Sequence, residues 1–236
     1  MAAMPVAMWP VAADGTRLPP ANHPTWGVNG IMHGLARGAS GRPVLDSGRY
    51  TQRDAHVFGH NGLQVGDWYP RLLAADFRGA HGSSQRGIVG NGQSGAYSIV
   101  VSGEYEGLDD DSGDTIWYCG PESGGNLNPL RTAPASSGTD ALMTCLSTSL
   151  PTIPPTPRLV RVLRSHGGRA PYAPARGYRY DGLYRVVRLG LAMNARGGRY
   201  ERFLLRREPG QAPLLSLRTP PTARPTAQEL ADHALI

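Results

Sequence analysis

Four aspartates lie close together in a protein that is otherwise basic. Asp109, Asp110, Asp111 and Asp114 fall in one short stretch, although 24 arginines face 18 acidic residues and the net charge is +6. Carboxylates this close repel one another, so the cluster needs a chemical reason. A calcium loop does not fit, because Asp114 stands where glycine is required and Gly120 where glutamate is required. A catalytic acid–base pair lacks a supporting histidine or serine constellation nearby, and a solvated turn is the plain alternative.

Two tyrosines bracket this acidic loop and give one of its carboxylates a binding role. Tyr105 precedes the loop and Tyr118 follows it, so that their rings can close on the two faces of one flat base. A carboxylate is the matching acceptor for the N4 amino group of a cytosine that has left the duplex. The small residues Ser102 and Gly103 would leave room for a methyl group on that base.

Apolar, β-branched runs predict strands around the loop. Residues 97–101 predict a buried strand, and residues 115–118 predict its partner across the acidic loop. In a later strand, Val160 and Val162 face one way and Arg161 faces the other, as strand alternation requires. The three later predicted strands cover residues 159–163, 183–189 and 202–206.

Two helices are predicted in the second half of the chain. Apolar residues recur at helical spacing over residues 139–150, with Thr139 as the predicted N-cap. Residues 226–229 read Thr-Ala-Gln-Glu, a capping box that predicts a short final helix. We divide the chain into an irregular N-terminal arm (residues 1–61), one β-rich domain (62–208) and a proline-rich exit with the final helix (209–236).

The positive charge is concentrated in one stretch. Residues 158–207 contain thirteen arginines against two acidic residues, and the chain has no lysine. A basic face of this kind suits a polyanion, and arginine binds phosphate and guanine in a planar, bidentate way. Arg161, Arg176 and Arg179 are the predicted phosphate contacts, with a plain solvated surface as the alternative.

The sequence also argues against several other classes of protein. Cys119 and Cys145 are too few for a disulfide framework or a zinc site, so we expect reduced thiols and an intracellular protein. The sequence has no apolar run of the ~20 residues needed to span a membrane, and no membrane partner is expected. We expect neither a metal nor an organic cofactor.

Two segments of the chain carry a family resemblance. Residues 95–106 read Gly-Ala-Tyr-Ser-Ile-Val-Val-Ser-Gly-Glu-Tyr-Glu, and residues 172–187 contain the tripeptide Tyr180-Asp181-Gly182. In this order they resemble the SET- and RING-associated (SRA) domain, also called the YDG domain. The resemblance covers about residues 76–207 and implies an α+β fold of the PUA-like type, centred on a β-barrel with a few flanking helices. We interpret the Asp-Gly pair as a structural turn before the strand at Leu183.

The resemblance implies that the domain binds DNA containing 5-methylcytosine and flips the modified base into a pocket. Counting back from Tyr118 assigns the base-reading carboxylate to Asp109, with Asp110 as the rival. Glu104 and Cys119 replace a glycine and a threonine that are usual in the family. The implied pocket residues are Gly87, Ser102, Gly103, Glu104, Tyr105, Asp109, Tyr118 and Cys119.

The same resemblance implies two loops that hold the vacated duplex. Gln85 is expected to enter the gap left by the flipped base, between its neighbours Ser84 and Arg86. The second loop, residues 120–138, offers Asn128 and Arg131. It lacks the Asn-Lys-Arg tip of the ubiquitin-ligase members, which puts a preference for hemimethylated CpG in doubt.

We therefore predict a reader module for modified DNA and not an enzyme. No nuclease motif is visible in the sequence, and His56 and His60 lack the company of other metal ligands. Two alternatives stay open: the DNA-recognition subunit of a modification-dependent nuclease system, and a protein-interaction scaffold that has lost base flipping. The resemblance implies chromatin or methyltransferase partners, with location in the nucleus of a eukaryote or the cytoplasm of a bacterium.

Overall fold

The computed structural model describes residues 4–103, 107–148 and 158–236. Within them, one mixed sheet of eight strands has a hydrophobic core packed on each of its two faces. The strands are β1 (Leu35–Arg37), β2 (Pro43–Leu45), β3 (Trp68–Tyr69), β4 (Ile88–Asn91), β5 (Gly95–Val101), β6 (Asp110–Asp111), β7 (Thr115–Cys119), β8 (Val160–Ser165), β9 (Tyr178–Met193) and β10 (Arg199–Arg207). The α-helices are α1 (Leu72–Phe77), α2 (Ser137–Thr148) and α3 (Ala227–His233), and short 3-10 turns cover Val6–Met8 and Leu214–Arg218.

The strand order of the sheet is β4-β5-β8-β9-β10-β7-β6, with β3 paired to the start of β9. All pairs are antiparallel except β5 and β8. The five predicted strands are present and the α+β class is confirmed. The expected pairing of residues 97–101 with 115–118 is wrong, because β5 pairs with β4 and β8 whereas β7 pairs with β10 and β6.

The sheet does not close into the expected barrel. Within the described residues, the end strands β4 and β6 do not pair with each other, and β6 is only two residues long. A side chain spans part of the gap, since the Tyr118 hydroxyl of β7 lies 3.2 Å from the Val100 carbonyl oxygen of β5. A single side chain therefore makes a contact that a barrel would make with backbone hydrogen bonds.

Strand β8 is buried on both faces of the sheet. Val160 and Val162 pack into a core beneath α2, as their alternation predicted, whereas Leu163 belongs to a second core on the opposite face. A strand buried on both faces leaves no outward side for water. Arg161 is consequently enclosed as well, with 0% of its surface exposed.

The second core is completed by the N-terminal residues. Trp9 and Trp26 meet edge to face with ring centroids 5.5 Å apart, and both are buried. They join Met32, Leu35 and residues of α1 over the second face of the sheet. The N-terminal segment contains the paired strands β1 and β2 as well as irregular stretches, and it is packed against the domain. The predicted boundary at residues 61 and 62 stays a prediction.

The Tyr-Asp-Gly tripeptide lies inside β9, so the predicted turn before Leu183 is wrong. Gly182 has φ +112° beside an irregularity in the β8–β9 pairing, and a Cβ there would lie 2.3 Å from the Gln211 side-chain oxygen. Glycine is needed at this position for a bulge and a close approach, which explains the residue without a turn.

Asp181 is the centre of a buried ionic cluster. Its carboxylate accepts hydrogen bonds from Arg164 Nη1 at 2.8 Å and from Arg179 Nε at 2.5 Å, with all three side chains enclosed. Arg164 also binds both carboxylate oxygens of Asp111, at 2.6 and 2.8 Å. Two carboxylates thus neutralise two guanidinium groups in the interior of the sheet.

The two predicted helices are present. Helix α2 begins after Ser136, whose hydroxyl accepts from the Thr139 backbone N–H at 3.2 Å, so the predicted N-cap at Thr139 is three residues too late. The capping box that begins α3 is confirmed, since Thr226 and Glu229 each accept from the other's backbone N–H. None of the helices in the described residues is both long and apolar enough to cross a membrane.

We predict that Asp181→Asn destabilises the fold by about 3–5 kcal/mol, because it leaves Arg164 and Arg179 buried without a full counter-charge. Urea denaturation followed by circular dichroism would measure the free energy of unfolding. Asp114→Asn is the matched control: that side chain is 74% exposed and lies 3.6 Å from Arg207, so its loss should cost about 1 kcal/mol or less. Equal effects of the two substitutions would contradict the structural role of Asp181.

Candidate nucleic-acid interface

A cavity of about 370 Å³ opens between the loop before β4, the end of β7 and the start of α2. This volume is at the lower end of the range of about 300–1,000 Å³ that is typical of ligand pockets, and it can enclose a single base. The lining residues are Gln85, Arg86, Gly87, Ile88, Tyr118, Cys119, Pro121, Ser136, Ser137 and Gly138. The structure therefore brings together five of the predicted site residues and adds the first turn of α2; the five are Gln85, Arg86, Gly87, Tyr118 and Cys119.

Tyr118 forms a fixed wall of this cavity. Its side chain is 2% exposed, and its hydroxyl lies 3.2 Å from the carbonyl oxygens of both Gly87 and Val100. A Cβ on Gly87 would lie 3.0 Å from that hydroxyl, so glycine keeps this contact free of strain. The ring is consequently held in place before any ligand arrives.

Asp109 is held directly behind the cavity wall. Its Oδ1 accepts a hydrogen bond of 2.8 Å from the backbone N–H of Cys119, a residue that lines the cavity. Burial raises the pKa of the Asp109 carboxyl to about 6, although the bond from Cys119 works in the opposite direction. The carboxylate is charged at neutral pH in a place that disfavours charge.

The four aspartates of the acidic loop have different surroundings. Asp110, the rival for the base-reading role, is exposed in β6, opposite Trp117. Asp111 binds the buried Arg164, and Asp114 is exposed. The acidic loop is thus partly a solvated turn and partly a structural anchor, and Asp109 is the member next to the cavity.

The loop at residues 82–87 is supported from beneath by a histidine that sequence reasoning missed. His81 is fully buried, and burial lowers its pKa to about 4, so the ring is neutral at pH 7. Its Nε2–H donates to the Arg86 carbonyl at 2.6 Å, and its Nδ1 accepts from the Ser98 hydroxyl at 2.8 Å. The sequence held one signal for this contact. Ser98 takes an inward position in the predicted strand, where its hydroxyl needs a hydrogen-bond partner such as His81.

Ser83 completes the support of this loop. Its hydroxyl accepts from the backbone N–H groups of Gln85 and Arg86, at 3.2 and 3.0 Å. The side chains of Ser84, Gln85 and Arg86 are exposed at the tip. The loop therefore presents polar side chains to solvent from a backbone that is fixed by His81 and Ser83.

Comparisons with known proteins show the family of the chain. The sequence profile of the SAD/SRA domain matches residues 57–211, which is most of the chain. The chain belongs to the SAD/SRA domain family. The resemblance inferred from residues 95–106 and 172–187 is thereby confirmed, and the match begins earlier than the residue 76 estimated from sequence.

Relatives of this SRA domain include parts of longer proteins. The chain is 36% identical to a UHRF1-like protein of Cryptococcus neoformans var. grubii over 67% of this chain and 48% of that protein. It is 34% identical to the E3 ubiquitin-protein ligase UHRF1 of Bos taurus over 63% of this chain and 21% of that protein. The chain thus spans about half or less of the length of these relatives.

Solved structures show the same fold. The SUVH5 SRA domain in complex with methylated CHH DNA is 29% identical, with a TM-score of 0.52 over 66% of this chain and 97% of that chain. The modification-dependent TagI restriction endonuclease is 31% identical, with a TM-score of 0.55 over 68% of this chain and 54% of that chain.

The second loop of this SRA domain, residues 120–138, is anchored to β10. The Asn126 side-chain N–H donates to the carbonyls of Arg131 and Arg199, at 2.8 and 2.6 Å. Asn128 Oδ1 accepts from the backbone N–H groups of Leu130 and Arg131. Asn128 Oδ1 thus shapes the loop, and the DNA contacts of the exposed Asn128 and Arg131 stay predictions.

Two of the predicted phosphate contacts are wrong. Arg161 is fully enclosed, and its guanidinium donates to the carbonyls of Ala80, Ala55 and Gly59 at 3.1, 2.5 and 3.0 Å, and also to that of Val57. Arg179 is equally buried, against Asp181. Neither guanidinium can reach a duplex, because each is committed to the interior. The exposed Arg176 stays a predicted phosphate contact.

The remaining predicted pocket residues have separate outcomes. Tyr105 and Glu104 lie outside the described residues. Gly103 has φ +77°, and a Cβ there would lie 2.4 Å from the Gly167 carbonyl oxygen, so a close backbone approach explains this glycine. The Cys119 thiol is buried, and burial together with Asp109 raises its pKa, so the thiol is neutral and unreactive.

We predict that Asp109→Asn stabilises the protein at pH 7.5 by about 1–3 kcal/mol. The folded pKa of Asp109 lies above its value of about 3.9 in an unfolded chain, so the folded protein binds more protons between about pH 4 and 6. Stability therefore falls as pH rises through this window, and the full cost is present above pH 6. Asparagine keeps the acceptor for Cys119 N–H without the charge.

Urea denaturation at pH 4 and pH 7.5 would measure this effect. The gain from Asp109→Asn should be present at pH 7.5 and small at pH 4. Asp110→Asn, at an exposed position in the same loop, should change stability by no more than about 0.5 kcal/mol. A gain from Asp109→Asn that is the same at both pH values would contradict the raised pKa.

Proposed function

We propose that this chain binds double-stranded DNA containing 5-methylcytosine and holds the flipped base in the cavity beside Tyr118. The single observation that carries the proposal is the arrangement of that cavity. A ring fixed by two backbone carbonyls forms one wall, and a half-buried carboxylate lies behind the backbone N–H of Cys119. A solved SRA domain of the same family is in complex with methylated DNA, which supports the same ligand class here.

The proposed recognition divides into three contacts. The Tyr118 ring stacks on one face of the base, and Tyr105 provides the second face. Asp109, charged at neutral pH, accepts from the N4 amino group once the base has entered. Gln85 at the tip of the supported loop fills the space that the base leaves in the duplex.

The energies of these contacts are sufficient for base flipping. Extracting a base costs a few kcal/mol. Stacking contributes about 1–3 kcal/mol for each aromatic face, and a good base-edge contact contributes about 1–3 kcal/mol. Burial of the methyl group adds only about 0.8 kcal/mol, or about fourfold in affinity. A larger preference for methylated DNA would require a pocket that unmodified cytosine fills poorly.

We further propose that the domain is a reader and catalyses no reaction itself. Any catalytic activity of a longer protein would then belong to its other domains. The lengths of the relatives allow this, since the match covers 48% of the Cryptococcus protein and 21% of the Bos taurus protein. In a eukaryote this function places the protein in the nucleus, with chromatin or methyltransferase partners.

A second candidate function is DNA recognition for a modification-dependent nuclease. The observation that favours it is the similarity to the TagI restriction endonuclease over 68% of this chain. Both candidates require the same base pocket. Cleavage of a methylated plasmid by the protein with magnesium or manganese would favour the nuclease candidate, whereas an intact plasmid is compatible with both, because a recognition subunit does not itself cut DNA.

We predict that Asp109→Ala abolishes the preference for methylated DNA and leaves weak, salt-dependent binding. The carboxylate supplies the contact to the base edge, whereas exposed arginines supply contacts to phosphates that do not depend on sequence. Fluorescence anisotropy with unmodified, hemimethylated and fully methylated duplexes would measure the affinities.

Asp110→Ala is the matched control for this experiment and should retain the methyl preference. If Asp110→Ala abolishes the preference and Asp109→Ala does not, the assignment of the base-reading residue is off by one position. If neither substitution changes the preference, base flipping into this cavity is the wrong mechanism.

We also predict that Tyr118→Ala weakens binding to methylated DNA about 5- to 150-fold, through the loss of about 1–3 kcal/mol of stacking. Tyr118→Phe keeps the ring but loses the hydroxyl contact to Gly87 and Val100, so it should retain most of the affinity. A duplex with 2-aminopurine beside the methylated cytosine reports unstacking as a rise in fluorescence. Unchanged fluorescence with the wild-type protein would argue against flipping.

A further inference from the structure

A second cavity, of about 590 Å³, lies next to the candidate base cavity and shares Gln85 with it. Its lining includes the basic side chains of Arg42, Arg71, His166 and His233, and none of its lining residues is acidic. We call this cavity the flank groove. It begins at the loop that is expected to enter the duplex.

Positive groups crowd together along the flank groove. Burial, together with Arg176, Arg71 and His166, lowers the pKa of His233, which places these groups close to one another. Arg71 also contributes to the lowered pKa of Arg37, after the larger effect of burial. Like charges this close repel, and they are most readily accommodated by an anion placed between them.

The arginines of the groove have no acidic partner within the described part of the chain. Ion pairs there involve other arginines; the groove's Arg42 and Arg71 form none of them, and neither does Arg176 near His233. Arg42 and Arg71 are exposed. Their guanidinium groups are therefore accessible to a ligand of opposite charge.

The segments that carry these charges are fixed in place. The Trp68 indole N–H donates to the Arg176 carbonyl at 2.6 Å, and the Trp68 ring lies 6.0 Å from His233 of α3. Arg42 precedes β2, which pairs in register with β1, and Leu35 of β1 is buried in the second core. Groups held in this way lose little conformational freedom when a ligand binds.

We propose that the flank groove binds the phosphate backbone of the duplex beyond the flipped base, through Arg42 and Arg71. The inference rests on the proposed function, because the groove continues from Gln85. It adds something that the family match does not contain: Arg42 and His233 lie outside residues 57–211. The segment before the SRA domain thereby lengthens the DNA footprint through Arg42, and His233 of the segment after the domain lines the same groove.

The test compares two methylated duplexes by fluorescence anisotropy over a range of salt concentrations. In the long duplex the modified cytosine is central, and in the short duplex the DNA ends within a few base pairs of it on either side. Arg42→Gln with Arg71→Gln should lower the salt slope on the long duplex by about 0.9 for each lost phosphate contact, or about 1.8 in total. On the short duplex the slope should not change, and the ratio of methylated to unmodified affinity should be that of the wild type on both.

Arg206→Gln is the control, since Arg206 is exposed on β10 and lines neither cavity. Circular dichroism would verify that each variant is folded. The inference is overturned if the double variant keeps the wild-type slope on the long duplex, or if Arg206→Gln lowers that slope as much. A wild-type protein without any methyl preference overturns the proposed function instead, and the difference in slopes then still decides whether the groove binds DNA.

Discussion

The buried carboxylate of Asp181 is the constraint on which the rest of the structure depends. It holds Arg164 and Arg179 in the interior of the sheet, and Arg164 in turn binds Asp111 and the Gly113 carbonyl of the acidic loop. Asp111 lies two residues after Asp109, whose carboxylate is fixed by Cys119 N–H. The Tyr-Asp-Gly tripeptide is enclosed in the sheet, and it positions the loop that carries Asp109, the proposed base-reading residue.

This ionic cluster is charge-balanced, which explains how a sheet can contain it. Two arginines face two aspartates, and the Tyr184 hydroxyl adds a further contact to Arg164 at 3.1 Å. Buried ion pairs often contribute little net stability, since desolvation offsets much of the attraction, but removal of one partner is costly. The main effect of the cluster is thus to hold the acidic loop in one position, and its net contribution to the stability of the fold is smaller. A base pocket needs that property, because a displacement of about an ångström would separate the carboxylate from the amino group it must meet.

Strands, the capping box and the family were predictable from sequence because each has a local signal. Val160 and Val162 mark a core strand by alternation, and Thr226 and Glu229 form a local pair. The burial of Arg161 was not predictable from sequence, since a count of charges does not show that residues 55–59 cover that face of β8. The strand order failed for a related reason: the parallel β5–β8 pair joins segments that are about sixty residues apart in the chain. His81 was missed for the same reason, because its hydrogen-bond partners Arg86 and Ser98 lie in the following loop and in β5.

The candidate site combines one costly charge with rigid neutral surroundings. Tyr118 is held by backbone carbonyls, His81 is neutral beneath the loop, and the first turn of α2 closes the far side of the cavity. Asp109 is in an environment that opposes its charged form, because burial raises its pKa to about 6. An amino group that enters the cavity would offer this carboxylate a donor in place of the water that burial has removed. The free energy that the charged carboxylate costs in the empty site is then partly recovered only when a base with an exocyclic amino group is bound. Thymine presents a carbonyl at that position, so a hydrogen-bond acceptor would face the carboxylate, which is also an acceptor. Under the proposed function, the carboxylate would therefore select cytosine over thymine more strongly than burial of one methyl group can select methylated over unmodified cytosine. Discrimination of the methyl group would then come from the shape of the cavity, and it would depend on Asp109 only because the base must be held in the cavity before its methyl group is sensed.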